Sequence, residues 1–548
     1  MAANIAVSVG EPNRTLRSIR EPAGAMLVAL VFAALVTSHF DFIPFWDAKA
    51  YLYCVEEAVQ KPFDILNFRC GGHPSIAYAL LLSLGQYVSP WNPPLLYATN
   101  AVLGIASIAA FHGLLRRLFP GRPAIEYALV TALYALAPLF VAHAIFLNVD
   151  YGATAFFVLF LYFLFAARFW LAAAFAVALI FSKETGGAAW AVTMTAYGVA
   201  FVPATRMARE QRIAALRAHA PLVIAPIVLV GYLVLFHVLR GDPRGWMNSY
   251  APVGLIHDRL DALLNTNLAD GSIRSFLVDI FILNFQWLYT GVIVCALLAA
   301  LVRVERRIGE PMWSQRQDVF LCLSLIGLVY VVTRFRPTNA ARYVLLASPV
   351  LIVGFYRALL SLCAAHIIRV AYLAVCVALV LLSNFRTLDF VSKSIFGTFD
   401  FGSHALLDMP SLTGGLKLDT LVYNLEFVQL QYLFGDMVRD VRPRPGSVLL
   451  MGNAIYNFPP EVDGRSYRLT ADPSHAVPLF VAIGDVKRDV LQLHVRRAGE
   501  LFFYVAFANA DNDQLRNLLK EYALVATRQY QRNGYTLDLY TFRFAFAP

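Results

Sequence analysis

Charged and hydrogen-bonding side chains occur at a few separate places in a chain that is otherwise strongly apolar. Asp47 and Tyr51 stand four residues apart in "FWDAKAYLYCVEEAV", after the first apolar run. Asp150 lies in "FLNVDYGATAFF", and Lys183 with Glu184 lies in "FSKETGG". A carboxylate can take the proton of a hydroxyl group, and a cation can stabilise a departing anion. These residue types therefore suit a group-transfer reaction that releases an anion.

Two further stretches carry polar groups of this kind. His73 precedes a proline in "GGHPSIAYALL", and Arg342 and Tyr343 lie in "TRFRPTNAARYVLLASP". Each residue also has an ordinary structural explanation, such as a turn residue, a helix anchor at lipid head groups or a solvated loop residue. A functional interpretation depends on whether these segments meet on one side of a membrane.

The composition indicates a protein with many membrane spans. Of the 548 residues, 59% are hydrophobic and 15% are charged, and the mean hydropathy is +0.60. A soluble chain of this length cannot bury so much apolar surface. The net charge of +9 comes from residues 1–386, whereas residues 387–548 are close to neutral. The basic excess therefore acts as an orientation signal and does not indicate binding to nucleic acid.

Eleven apolar runs are candidate spans, each of roughly 20 residues or somewhat fewer. They lie near 24–40, 97–115, 124–147, 151–167, 169–182, 186–204, 221–239, 276–302, 319–333, 341–360 and 370–386. Arginines before the first run and in alternate loops, including those at 357 and 369, fall on one side if the amino terminus is cytoplasmic. We therefore predict a cytoplasmic segment 1–23, a transmembrane domain 24–386 with a structured first outer loop 41–96, and an extracytoplasmic domain 387–548.

This topology brings the polar groups together on the outer side. The fifth run, from Phe169 to Ser182, would rise only about 21 Å as a helix, less than the roughly 30 Å of a bilayer core. Lys183 and Glu184 should therefore lie below the outer surface, where charged groups face a cavity or a partner. The paired broken helices and internal repeats that are typical of transporters are not evident in the sequence.

Residues 387–548 predict a small α/β domain. The stretches "GSVLLMG", "VPLFVAIGD", "LFFYVAFA" and "YTLDLYTFRF" are typical of strands, and "DNDQLRNLLKEYALV" is predicted to be a helix with an aspartate near its start. We interpret this domain as a lid or scaffold rather than as a second active site.

The order of these motifs resembles membrane glycosyltransferases of the GT-C class, in the branch of the protein O-mannosyltransferases and of the aminoarabinose or galacturonic acid transferases of lipopolysaccharide. Asp47 with Tyr51 is similar to the acidic motif of the first outer loop, where Ala48 replaces a second acid. "GGHPSIAYALL" resembles a His-Pro-Pro-Leu stretch, "NVDYGATAFF" a second-loop aspartate motif, "FSKETGG" a Thr-Lys-Gly/Glu stretch and "ARYVLLASP" an Arg-Tyr-Pro element. The resemblance covers residues 24–386 and, more loosely, the outer domain.

The resemblance implies an inverting glycosyltransferase with a polyprenyl-phosphate-linked sugar donor and an acceptor hydroxyl on an envelope glycan, lipopolysaccharide or a protein, in the inner membrane of a bacterium. Asp47 would be the catalytic base, and Lys183 and Arg342 would hold the phosphate. Asp150 would bind the acceptor or orient Lys183. Tyr51, His73, Glu184 and Tyr343 complete the predicted substrate-binding set.

Metal dependence and two rival functions stay open at this point. Some GT-C enzymes use a divalent metal such as Mg²⁺ or Mn²⁺ and others do not, and Asp47, His73 and Asp150 are the candidate ligands. One rival is a glycan ligase with a polyprenyl-diphosphate donor; the other is a lipid or sugar transporter without bond chemistry. Cys54 and Cys70 both lie in the first outer loop, which predicts a disulfide there if that side is oxidising.

Overall fold

A computed structural model describes residues 14–38, 47–60, 76–88, 93–201, 213, 217–240, 280–282, 285–302, 315–335, 341–384, 399–401, 404–406, 448–451, 479–482, 501–505, 520, 522–532 and 535–544. The chain divides into two compact units. The first comprises Met1–Asp41, Tyr51–Thr398 and Leu407–Val422. The second comprises Phe42–Ala50, Phe399–Leu406 and Tyr423–Pro548.

Helices make up the described part of the first unit, and one of them begins with four residues, 47–50, that belong to the second unit. In chain order they are α1 (Arg14–Thr37), α2 (Asp47–Gln60), α3 (Ile76–Val88), α4 (Pro93–Leu118), α5 (Ala124–Ala135), α6 (Pro138–Ile145), α7 (Val149–Phe165), α8 (Phe169–Ile180), α9 (Glu184–Phe201), α10 (Ile224–Arg240), α11 (Gln286–Leu301), α12 (Arg316–Phe335), α13 (Ser348–Leu362) and α14 (His366–Leu382). Short 3-10 turns, Ala220–Val223 and Ala341–Val344, precede α10 and α13.

Each of the eleven predicted apolar runs overlaps one of these helices or a pair of them. Two helical stretches, Pro94–Leu118 and Arg316–Thr333, are long and apolar enough to cross a membrane by themselves. A third is obtained if α5 and α6, which are bent by 54° relative to each other, count as one span. The other apolar helices in the described ranges are shorter, with 10–17 residues. The helical, membrane-type fold of this unit is as predicted, and the number of eleven spans stays a prediction.

The bend between α5 and α6 occurs at a proline. Pro138 has no N–H group to continue the helix, and it favours an extended conformation at the preceding residue. Ala137 is accordingly extended, with φ −56° and ψ 129°. The interruption frees backbone carbonyls, and one of them, the carbonyl of Leu136, accepts a hydrogen bond of 2.8 Å from the side-chain amide of Asn384 beyond the end of α14. The bend is therefore stabilised by a residue distant in sequence.

Helix α7 forms the centre of the first unit. It packs against α4 and α8, and its residues from Val149 to Leu161 are all buried. A helix that is apolar on every side is stable only when neighbours surround it. Tight turns flank α7, because Leu147 and Ala167 adopt left-handed backbone conformations with φ of 49° and 53°.

A group of fully buried ion pairs, which we call the balanced cluster, consists of Glu126, Asp318, Tyr356, Arg357 and Arg369. The Arg369 guanidinium lies 2.7 Å from Glu126 Oε1, and the Tyr356 hydroxyl donates to Glu126 Oε2 at 2.7 Å. Arg357 makes a two-pronged contact with Asp318, at 2.5 and 2.9 Å. The sequence analysis uses both arginines only as orientation signals, and the structure shows that each has a specific acidic partner.

The second unit contains strands. They are β1 (Phe399–Phe401), β2 (His404–Leu406), β3 (Val448–Met451), β4 (Leu479–Ala482), β5 (Leu501–Val505), β6 (Tyr522–Arg532) and β7 (Tyr535–Phe544). β1 and β2 form a hairpin, and the other strands form a sheet in the order β4-β3-β5-β7-β6. β3 is parallel to β4 and β5, and β7 is antiparallel to β5 and β6. The four predicted strands lie at β3, β4, β5 and β7.

One prediction in this unit is wrong. The sequence analysis extends a helix through "EYALV", whereas Tyr522 begins the eleven-residue strand β6 and pairs with Phe544 of β7. Pairing along the whole of β7 outweighs the local helix preference of these residues. The pair Asn533–Gly534, which is typical of a hairpin turn, stands between the two strands and is the sequence signal for this hairpin.

Candidate active site

Asp150 is fixed at the beginning of α7 by its neighbours. The side-chain oxygen of Asn148, the residue that caps this helix, accepts a hydrogen bond of 2.8 Å from the Asp150 N–H. The hydroxyl of Thr154 donates to the Asp150 carbonyl. A capping asparagine and an acidic residue in the first turn both favour helix initiation. The Asp150 side chain is buried, and its carboxylate is held at a defined place.

Lys183 occupies the short connection between α8 and α9. Helix α8 has only 12 residues, which is shorter than a full span, and the depth of Lys183 below the outer surface stays a prediction. The Lys183 carbonyl accepts from the Gly186 N–H at 2.9 Å, and a Cβ at Gly186 would lie 2.3 Å from the Leu179 carbonyl oxygen, so only glycine fits in this turn. Lys183 Nζ lies 2.5 Å from Asp150 Oδ1, and both side chains are almost fully buried.

The 3-10 turn Ala341–Val344 supplies the third and fourth members of the site. Arg342 Nε lies 3.7 Å from Asp150 Oδ2. The Tyr343 ring is buried, with Lys183 Nζ 4.3 Å and Arg342 Cζ 5.5 Å from the ring centre. Cations are attracted to the face of an aromatic ring at such distances. We call Asp150, Lys183, Arg342 and Tyr343 the site cluster.

The site cluster places two cations on one carboxylate. Asp150 Oδ1 accepts from Lys183, whereas Oδ2 is buried and accepts no hydrogen bond within the described part of the chain. Charges interact strongly where water is excluded. The ammonium and guanidinium groups are therefore held side by side in fixed positions, an arrangement that can bind the oxygens of a phosphate or stabilise charge that develops on them.

The structure brings together four of the predicted site residues. The others are placed as follows. Tyr51 is buried in α2, and Glu184 is the partly buried first residue of α9. Asp47 is the first residue of α2, and its side chain is outside the described part of the chain, as is the whole of His73. The roles of these four residues stay predictions.

The predicted metal set of Asp47, His73 and Asp150 is also untested, because only the Asp150 side chain is described. Its carboxylate contacts two cations, which disfavours a divalent metal at the same oxygens. Among the residues that the structure describes, no three His, Cys, Asp or Glu side chains form a metal-binding group.

The cysteines of the chain fall into two groups. Cys295, Cys322, Cys363 and Cys376, all in the helical part, are free thiols. Cys54 in α2 is disulfide-bonded. Cys70 lies outside the described residues, and its pairing with Cys54 stays a prediction.

The sequence analysis does not identify three residues that support the site. Asn148 caps the helix of Asp150, and Asn100 and Tyr78 hydrogen-bond to each other at 2.8 Å in the adjoining layer. Signals for two of them exist. An asparagine two residues before an acid at a helix start is typical of a cap, and Asn100 is an amide inside an apolar helix, where polar groups need partners.

The chain is similar to known proteins in its fold, whereas its sequence matches no known family. No family model matches the chain, and no curated protein sequence matches it. ArnT from Cupriavidus metallidurans bound to undecaprenyl phosphate superposes with a TM-score of 0.51 at 14% identity, over 96% of this chain and 98% of that chain. The apo form of ArnT gives a TM-score of 0.52 at 15% identity, over 94% and 97%.

An archaeal oligosaccharyltransferase, AglB from Archaeoglobus fulgidus in complex with an inhibitory peptide and a dolichol-phosphate, is also similar. Its TM-score is 0.45 at 12% identity, over 95% of this chain and 74% of that chain, a likeness too low to carry an argument. The two ArnT structures show that this chain has the fold of ArnT, which agrees with the GT-C fold that the sequence motifs predict.

Proposed function

We propose that the protein is an inverting glycosyltransferase that moves a sugar from a polyprenyl-phosphate donor to an acceptor hydroxyl on the extracytoplasmic side of a bacterial inner membrane. The acceptor would be an envelope glycan, a lipopolysaccharide or a protein. The observation that carries this proposal is the convergence of Lys183, Arg342 and Tyr343 on Asp150. These residues come from three separate segments of a fold that ArnT, itself crystallised with undecaprenyl phosphate, shares.

The proposed reaction assigns each charge a task. The acceptor oxygen bonds to the anomeric carbon of the sugar, and its proton passes to the Asp47 carboxylate. The bond from the anomeric carbon to the phosphate oxygen breaks, and its electron pair leaves with polyprenyl phosphate. Because the leaving phosphate is already an anion, Lys183 and Arg342 stabilise it and no acid needs to protonate it.

The remaining residues would support these steps. Asp150 orients Lys183 through their short contact and holds Arg342 beside it. Tyr343 limits the movement of both cations by packing its ring against them. Tyr51, His73 and Glu184 complete the substrate-binding set of this proposal.

Replacing Asp47 by Asn tests the assignment of the base. Purified protein in lipid is supplied with several synthetic polyprenyl-phosphate sugars, and the release of polyprenyl phosphate is measured. We expect the Asp47→Asn variant to lose about 100-fold or more in turnover, since an amide cannot accept the proton. Stabilisation of the variant by undecaprenyl phosphate against heat should persist.

Glu56→Gln makes the same chemical change later in α2 and is the matched control, with turnover expected near that of the wild type. Unchanged turnover in Asp47→Asn would remove Asp47 from the mechanism. Release of polyprenyl diphosphate would indicate the glycan ligase instead. Movement of an intact lipid-linked sugar across the membrane, with no release, would indicate the transporter.

A further inference from the structure

The short helix α3 contacts both segments that carry the buried ion pair of the site cluster. The Ala77 N–H donates to the carbonyl of Phe181 at 3.1 Å, two residues before Lys183. The Tyr78 ring packs on Gly152, two residues after Asp150, so closely that a Cβ on this glycine would lie 2.3 Å from the ring. Two adjacent residues of α3 therefore contact the segment that carries Lys183 and the segment that carries Asp150.

Asn100 in α4 joins the layers around this contact. Its Oδ1 accepts from the Tyr78 hydroxyl at 2.8 Å, its Nδ2 donates to the Ala144 carbonyl at 2.6 Å, and its own carbonyl accepts from the Tyr151 hydroxyl at 3.2 Å. Asn100 and Tyr151 are fully buried, and Tyr78 is 1% exposed. One asparagine thus links α3, α4, α6 and α7, and each bond is made where water cannot replace it.

The other end of α3 is hydrogen-bonded to the later part of α2. The Tyr87 hydroxyl donates to the carbonyl of Ala58, in the last turns of α2, at 3.2 Å. Helix α3 is therefore hydrogen-bonded near one end to the later part of α2 and near the other end to the segment that precedes Lys183.

We propose that Tyr78 and Asn100 are positioning residues for sugar transfer, an inference that rests on the proposed function. Their hydrogen bond holds α3 against the segments that carry Asp150 and Lys183, so that the phosphate-binding cations meet the leaving phosphate in a fixed geometry. A displacement of about 1 Å can lower a rate by about 100-fold. Neither residue contacts the phosphate-binding cations directly, so the effect should fall on kcat rather than on donor binding.

A comparison of two tyrosines tests this proposal. Tyr78→Phe removes the hydroxyl that binds Asn100 and keeps the ring on Gly152. Tyr134→Phe is the matched control, because the Tyr134 hydroxyl is also buried and shares a hydrogen bond of 2.6 Å with Ser107, between α5 and α4. We expect Tyr78→Phe to lower kcat about tenfold with donor KM within about twofold of the wild type. Tyr134→Phe should leave both within about twofold.

Hydrogen exchange provides a second measurement that needs no turnover. In full-length protein without substrate, amide exchange in residues 76–88 should rise about fivefold in Tyr78→Phe and stay unchanged in Tyr134→Phe, since only the first variant loosens α3. If kcat fell equally in the two variants, the loss would result from a general decrease in stability, and the proposal would be overturned. Unchanged kcat or unchanged exchange in Tyr78→Phe would overturn it too. A wild-type protein that is inactive with every donor would instead contradict the proposed function itself.

Discussion

Within the described part of the chain, one buried group of charges includes Glu126 near the start of α5 and another includes Asp150 shortly after the end of α6, and the two groups are built differently. In the balanced cluster each carboxylate has its own arginine, with Glu126 paired to Arg369 and Asp318 paired to Arg357. Among the described residues of the site cluster, Lys183 and Arg342 both lie beside Asp150. Both groups lie in apolar surroundings, where an ion is costly unless it is compensated.

We interpret the balanced cluster as structural and the site cluster as catalytic. The pairs of the balanced cluster hold helices together through several hydrogen bonds, and His366 Nδ1 also lies 3.4 Å from Glu126 Oε1. In the site cluster an ammonium and a guanidinium group lie beside one carboxylate and one aromatic ring, a geometry that can bind an anionic ligand. The comparison predicts that equivalent changes in the two clusters have different consequences.

The largest difference is expected when one cation is removed from each cluster. Lys183→Met should lower sugar transfer by about 100-fold or more, because a group that stabilises the leaving phosphate is lost. Arg369→Met leaves Glu126 buried without its arginine and should cost about 3–5 kcal/mol of stability, with turnover per folded molecule unchanged. Turnover and thermal unfolding of both variants in detergent check this. Loss of turnover in folded Arg369→Met would break the comparison.

A smaller effect is expected for Arg342→Lys, which keeps the charge and changes its shape. A lysine lacks the planar, forked donor geometry that matches phosphate oxygens. We expect donor KM to rise about tenfold and kcat to stay within about threefold. Arg357→Lys in the balanced cluster is the control and should leave donor KM unchanged. If Arg342→Lys instead lowered kcat and left donor KM constant, Arg342 would stabilise the transition state without contributing to binding of the donor.

The smallest effect is expected when a whole ion pair of the balanced cluster is replaced. The double variant Asp318→Leu with Arg357→Met removes both charges together, which in buried pairs is often neutral or stabilising. Transfer and melting temperature should both stay close to the wild-type values. Asp318→Leu alone, which strands the arginine, is the informative control and should lower the melting temperature. If the double variant melted at as low a temperature as Asp318→Leu, the attraction between the two charges would itself stabilise the folded protein.

The sequence is sufficient to predict the helical fold and to select four residues that the structure brings together, while their roles stay predictions. Long apolar runs mark the helices, and charged residues beside such runs are conspicuous because they are expensive there. This is why Asp150, Lys183, Arg342 and Tyr343 are found by inspection. The turn geometry that unites them is not visible in the same way, since the left-handed Leu147 has no sequence signal.

Partners far apart in sequence are harder to predict. Arg369 meets Glu126 across 243 positions, and the Tyr78–Asn100 bond depends on the packing of α3 on α4. Such pairings are set by the whole fold rather than by local pattern. The strand β6 is a milder case, in which "EYALV" favours a helix locally and pairing with β7 decides the outcome.

The hydrogen bond from Asn384 to the Leu136 carbonyl has a consequence for biosynthesis. These two residues are separated by 248 positions, so a ribosome must add most of the helical unit before the asparagine becomes accessible. Until then the carbonyl at the proline break is exposed to an apolar environment without its permanent donor. A nascent chain that stops short of residue 384 therefore lacks the side-chain amide that binds the Leu136 carbonyl in the folded protein.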